Sequence, residues 1–294
     1  MSLFESVLDI GAEAGESPIW SVEERALFWA DLHKSTVNRF DPATGENQAW
    51  QLPSRPGCIM LREGRGIVAP CQHGIFDLDL DTSQTKLLAE VPFDTNRMRF
   101  NDGKCDRQGR IWVGSLPTQL ADVGKVKGLL YCFDGKKLTP HFEIEIPNGF
   151  AFSPDGRTMY RAETFAETIY AYDFDPDAGK PSNERIFAKT TAGQGRPDGA
   201  TVDTTGNYWV ALPGGEPYGR VARYTPDGKL DFLAETDVPA PTMVNFGGGD
   251  MSTLYVTSGF FEFYSNRPGA DISGRIFAMK TKFQGIPEPK FRGV

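Results

Sequence analysis

The sequence is poor in the residues that build the commoner catalytic and structural sites. Only three histidines occur, His33, His73 and His141. No Gly-x-Ser-x-Gly elbow accompanies them, which argues against a Ser-His-Asp hydrolase. The four cysteines, Cys58, Cys71, Cys105 and Cys132, are widely spaced with no CxxC pair. That argues against a disulfide framework or a zinc ribbon, and they are read as small buried hydrophobes in a reducing compartment. Basic residues are not in excess: 31 Lys and Arg stand against 39 Asp and Glu, for a net charge of −8. Nucleic acid and anionic membrane are therefore not expected as main partners. No apolar run approaches the roughly 18 residues needed to cross a bilayer. No basic stretch followed by a long apolar core is seen near the N-terminus, so no secretory signal is read and a cytoplasmic protein is expected. No linker or low-complexity stretch divides residues 1–294, and one domain is expected.

What the sequence has is a repeat. A short aromatic or β-branched strand recurs around Phe28, Ile67, Trp112, Tyr160, Trp209 and Tyr255. Each is followed by a second strand closing on an Asp, Gly or Pro turn, as in Val37-Asn38-Arg39-Phe40 before Asp41-Pro42 and Arg220-Val221-Ala222-Arg223-Tyr224 before Thr225-Pro226-Asp227-Gly228. The spacing is roughly 40–50 residues, that of a propeller blade. Short strands, frequent turns and the lack of long 3.6-period segments predict an all-β, six-bladed β-propeller. An orphan strand at Ser6-Val7-Leu8-Asp9-Ile10 is predicted to join the last blade and close the ring. Trp20, Trp29, Trp112 and Trp209 are read as packing between blades.

In a propeller the innermost strand of each blade lines the central channel, and ligands collect at its mouth. Reading back roughly 11–13 residues from each anchor reaches the start of that strand. The positions reached are Glu16, Pro56-Gly57, Asn101, Asn148, Asp198 and Thr242. Asn-Gly and Asp-Gly are also ordinary turn dipeptides. Asp134-Gly135, Asp155-Gly156 and Asp227-Gly228, however, sit between strands, whereas Asn101, Asn148 and Asp198 share a different phase. Two carboxylates and two amides at one mouth form a hard-oxygen cage suited to Ca²⁺, Mg²⁺ or Mn²⁺, with Zn²⁺ or Fe²⁺ also open.

Gly15-Glu16-Ser17-Pro18-Ile19-Trp20, Arg99-Phe100-Asn101-Asp102-Gly103-Lys104-Cys105-Asp106, Pro147-Asn148-Gly149, Ser153-Pro154-Asp155-Gly156 and Arg196-Pro197-Asp198-Gly199 together resemble the regucalcin (senescence marker protein)/gluconolactonase family, in order and through essentially the whole chain. The resemblance implies a six-bladed propeller, one divalent metal ion on Glu16, Asn148 and Asp198, substrate contacts from Arg99 and Asn101, and hydrolysis of a sugar lactone. Some family members carry an acidic substrate contact where this chain reads Ser115-Leu116-Pro117-Thr118-Gln119-Leu120, with no acid until Asp122.

Arg161 and Arg196 add positive charge near the expected mouth. Either they are solvated surface residues, or they clamp a substrate carboxylate, as in a lactone of an aldaric acid. In the mechanism expected here, the metal polarises the carbonyl, Asp198 is both ligand and general base, Glu16 is a ligand only, and Arg99 and Asn101 orient the ester. The alternatives are a non-catalytic metal-binding scaffold and a metal-dependent aryl ester or phosphotriester hydrolase. Oligomeric state is not read from the sequence.

Overall fold

The computed structural model describes residues 3–191 and 193–293. Six four-stranded antiparallel sheets form the blades of a β-propeller. The second strand of each blade is almost wholly buried: Ala26–Asp31, Ile67–Cys71, Ile111–Pro117, Thr158–Glu163, Tyr208–Leu212 and Thr253–Ser258. Neighbouring blades cover both faces of these strands, so they are mainly apolar on both faces, and polar residues such as Asp31, Arg161 and Glu163 are buried within them. The outermost strands are mostly exposed, as in Lys180–Lys189. The second strands coincide within a few residues with the six repeats expected from the sequence.

The ring closes as predicted. Glu5–Leu8 is the outer strand of the last blade and pairs with Ile276–Lys280, with Glu5 opposite Ala278 and Ser6 opposite Phe277. Closure leaves no blade short of an edge partner.

Aromatic rings knit adjacent blades. Trp20 of the first blade stacks on Tyr255 of the last, with centroids 5.8 Å apart. Trp112 meets Phe174, and Trp209 meets Phe246, both edge-on at about the same separation. The indole N–H groups of Trp112 and Trp209 donate to Asp106 and Asp203, at 3.0 and 2.9 Å, so neither polar atom is stranded in the core. All four cysteines are free and buried, and burial pushes their thiols up. Among the described residues, no helix is long and apolar enough to cross a membrane.

Candidate functional site

The innermost strands are Gly15–Ser21, Met60–Leu61, Met98–Cys105, Pro147–Phe152, Ala200–Val202 and Pro241–Gly247. Four of them break register near their start, between Glu16 and Ile19, Phe100 and Gly103, Asn148 and Ala151, and Pro241 and Met243. A bulge there inserts an extra residue and re-aims a side chain. It turns Glu16, Asn101 and Asn148 toward the cavity instead of a neighbouring blade. Gly149 makes the bulge possible in the fourth blade. Its φ is +62°, and a Cβ would lie 2.3 Å from the Tyr208 hydroxyl.

Glu16, Asn148 and Asp198 hold equivalent places. Glu16 lies opposite Ala30, Asn148 opposite Ala162, and the Asp198 N–H donates to Ala211 O. All three line one cavity of about 250 Å³ at the channel mouth, together with Arg99 and Asn101. The second and sixth blades add no donor at this level. Gly57 presses its α-carbon against the Asn101 backbone, where a Cβ would come within 2.4 Å of Asn101 O. Thr242 is fully buried, with its hydroxyl bonded to Gly15 O and Thr257.

The amides are locked by a relay. Arg99 Nη1 donates to Asn101 Oδ1 at 2.8 Å, and Asn101 Nδ2 donates to Asn148 Oδ1 at 2.9 Å. Asn148 Nδ2 donates to Thr164 Oγ1 at 2.8 Å, and that hydroxyl donates to Pro197 O at 2.9 Å. The relay fixes which end of Asn148 is its oxygen and leaves one lone pair of Oδ1 available.

The carboxylates carry the opposite signature. Glu16 and Asp198 open onto the cavity but are otherwise enclosed by protein. Burial raises both well above the usual carboxylate range; Asp198 and Asp102 push Glu16 further up against a smaller pull from the Ser17 N–H and Arg99, and Asp102 pushes Asp198 up against the Gly199 N–H. Asp102 lies just below, and burial lifts it to about 6 despite Lys104 and the N–H groups of Phe150, Gly103 and Gly149. Acids crowded in this way without a partner favour protons or a cation. Among the described residues no three His, Cys, Asp or Glu side chains meet at one point. An ion here would therefore need the Asn148 amide oxygen as its third donor. A two-carboxylate, one-amide oxygen set fits a hard divalent cation.

Of the sequence-derived candidates, the structure thus brings together Glu16, Arg99, Asn101, Asn148 and Asp198. It does not bring Arg161 to them. Arg161 is buried in the second strand of the fourth blade, 2.9 Å from Glu163 and 3.2 Å from Glu184, with Nε donating to Tyr172 OH. Its guanidinium lies over the Tyr170 ring. It is neither a solvated arginine nor a clamp at the cavity. Arg196 is half-exposed, over the Phe165 ring and 3.8 Å from Glu167, in an adjoining recess with Arg267. Where an acidic contact was missing from the sequence, Leu116 and Val123 line the cavity. No histidine lines it; His141 packs on Trp112.

Three functional candidates carried no signal at the ring phase. Thr164 holds Asn148 from a loop. Asp102 was visible in its motif but gave no sign of facing the acids. Arg55 sits on the loop before the second blade and lines the cavity beside Arg99. Phe261 and Phe263 reach the cavity from the excursion between the second and third strands of the last blade.

Comparisons with known proteins identify the family. A 6-deoxy-6-sulfogluconolactonase from Pseudomonas putida is 39% identical over 287 residues, 95% of each chain. A pentonolactonase from Haloferax volcanii is 30% identical and covers 96% of each chain. A crystal structure of regucalcin from Agrobacterium tumefaciens, described as a calcium-binding protein, is 26% identical with a TM-score of 0.88, covering 98% of this chain and 96% of that one. The profile of the SMP-30/Gluconolactonase/LRE-like region matches residues 14–260. The chain belongs to the SMP-30/gluconolactonase/LRE-like family.

Proposed function

We propose that this chain hydrolyses a sugar lactone to the open-chain acid, aided by one divalent cation on Glu16, Asn148 and Asp198. The observation that carries the reading is the convergence of two enclosed carboxylates, raised despite the pull of Arg99 on Glu16, and one oriented amide oxygen at the mouth of a ligand-sized cavity. The lactonase names of two full-length relatives support the substrate class. The calcium-binding neighbour supports a hard cation. The cation bound there supplies Lewis acidity toward the lactone carbonyl and favours ionisation of the attacking water.

The chain's own residues do the rest. Asp198 accepts the proton of the attacking water: its enclosed carboxyl lines the cavity, and burial and the Asp102 charge raise its proton affinity. The water oxygen bonds to the carbonyl carbon, the ring C–O bond breaks, and Asp198 returns the proton to the departing alkoxide. Glu16 stays a ligand, restrained by the Ser17 N–H at 3.2 Å. Arg99 and Asn101, fixed by their relay to Asn148, hold ring oxygens or hydroxyls and orient the ester. Leu32, Leu116, Ile146 and Phe261 exclude water around the reacting bond.

The chain acts as one unit over residues 1–294, a reading supported by the N-terminal strand completing the last blade. The four free buried cysteines fit a reducing, cytoplasmic setting.

A pH-stat assay over aldonolactones, aldarolactones and an aryl ester tests the reading. The protein is stripped with chelator and then reloaded with Ca²⁺, Zn²⁺, Mn²⁺, Mg²⁺ or Fe²⁺. Lactone turnover that disappears with chelator and returns with one of these ions is the expected result. Turnover of the aryl ester alone, or of nothing, would reject it.

A further inference from the structure

The cavity holds two guanidinium groups that the hydrolysis of a neutral lactone leaves largely unused. Arg99 spends Nη1 on Phe100 O and Asn101 Oδ1, but its Nε is buried with no hydrogen-bond partner among the described residues. Arg55 Nε is likewise buried and unpartnered, and Arg55 forms no ion pair among the described residues. Every other cavity-lining charge is accounted for: Glu16 and Asp198 are the remaining charged residues of the lining, and only Arg99 feels Glu16. The two arginines repel each other. Burial and the Arg55 charge bring Arg99 down to about 9, and burial also lowers Arg55. Nearby His33 is pushed toward its neutral form by burial and by Arg55, so the charge on this side of the cavity rests with the two arginines.

Buried donors without acceptors are costly, and paired guanidiniums present forked N–H donors that match the oxygens of a carboxylate or sulfonate. Apart from Glu16 and Asp198, the cavity lining contains no acid among the described residues. Leu116 and Val123 line the same cavity and bring no charge that would repel an anion. The adjoining recess with Arg196 and Arg267 is a weaker candidate. Arg267 already donates to Gly214 O and Gly215 O, and Arg196 faces Glu167.

We propose that Arg55 and Arg99 form an anion subsite, so that the preferred substrate is a lactone bearing a terminal oxyanion group, a sulfonate or a carboxylate, rather than a neutral sugar lactone. This inference rests on the lactonase reading and narrows it. Arg55 is the specificity-determining residue, because Arg99 is shared with the orientation of the ester.

The test compares kcat/KM for three substrates: gluconolactone, its analogue with a terminal sulfonate in place of the primary hydroxyl, and glucarolactone. The wild type should favour at least one anionic lactone over the neutral one, and whichever is favoured identifies the anion. In Arg55→Gln the anionic-to-neutral ratio should fall about 10- to 100-fold, with a smaller fall in Arg55→Lys. A second measurement needs neither turnover nor metal. Arginine Nε–H signals in ¹H–¹⁵N spectra of the chelated wild type should shift on titration with methanesulfonate or acetate, and the responding Arg55 signal should be missing from Arg55→Lys. An unchanged ratio in a folded Arg55→Gln protein, or no Nε–H response to either anion, would overturn the subsite. Equal turnover of all three lactones by the wild type would overturn the subsite but leave the lactonase reading intact. Anion-dependent shifts without turnover of any lactone would do the reverse.

Discussion

The two levels of the central channel handle buried acid in opposite ways. At the mouth, Glu16 and Asp198 repel each other; Arg99 offsets only part of the burial of Glu16, and no lysine or arginine forms an ion pair with either acid among the described residues. About 10 Å further along the same innermost strands, Glu288 is equally enclosed but has company. Lys104 Nζ sits 2.8 Å from its Oε1 and also donates to Ala200 O, while Thr201 and Asn245 donate to the same carboxylate. Lys104 holds Glu288 below its usual range although burial pulls it up. Burial alone therefore does not mark a working carboxylate. The informative feature is a carboxylate whose burial is left uncompensated, because such a group is ready to take a cation or a proton. The deep level neutralises its acid, and the mouth leaves its acids raised.

The sharpest way to break this contrast is at the mouth. Asp198→Ala should lower lactone turnover by about 100- to 10,000-fold while leaving the unfolding midpoint nearly unchanged or raised, because it removes a repelled charge. Near-normal kcat in that variant would end its assignment as general base.

At the deep level the sign reverses. Lys104→Met strands Glu288 in the channel and should cost about 3–5 kcal/mol in urea unfolding, most of it recovered when Glu288→Gln is added. A loss confined to activity, with stability intact, would contradict the division of labour.

A subtler change separates holding from reacting. Thr164→Val should remove the acceptor for Asn148 Nδ2 and the donor to Pro197 O, weakening divalent-cation affinity about 10- to 100-fold. Calorimetric titration with Ca²⁺ would read this directly. The smallest effect belongs to the periphery: Arg196→Ala should change stability by no more than about 0.5 kcal/mol, as followed by urea unfolding.

Much of this was legible in the sequence because a propeller repeats its geometry. The anchors at Phe28, Trp112, Tyr160 and Trp209 fix the blade, and a constant step back finds the channel mouth, which is how Glu16, Asn101, Asn148 and Asp198 emerge together. Closure by the N-terminal strand was legible because an unpaired strand needs an edge. Arg161 was misplaced for a physical reason. It lies two residues from Glu163 on one face of a strand, so a local ion pair was available, and its other partners, Tyr172 and Glu184, come from the next two strands of the same sheet. Lys104 and Glu288 are 184 residues apart, a pairing that only folding reveals. Arg55 and Thr164 lie on loops whose course no repeat dictates.

The central claim is that the mouth is a cation site built from acids that fold without a partner. Calorimetric titration of the chelator-treated protein with Ca²⁺, repeated in buffers of different ionisation enthalpy, measures affinity and proton release together. Because Glu16 and Asp198 are raised, the account predicts one site whose binding releases protons, whose apparent affinity climbs as pH rises, and which Glu16→Gln and Asp198→Asn each abolish. Binding that releases no protons, or that survives both substitutions, would contradict it.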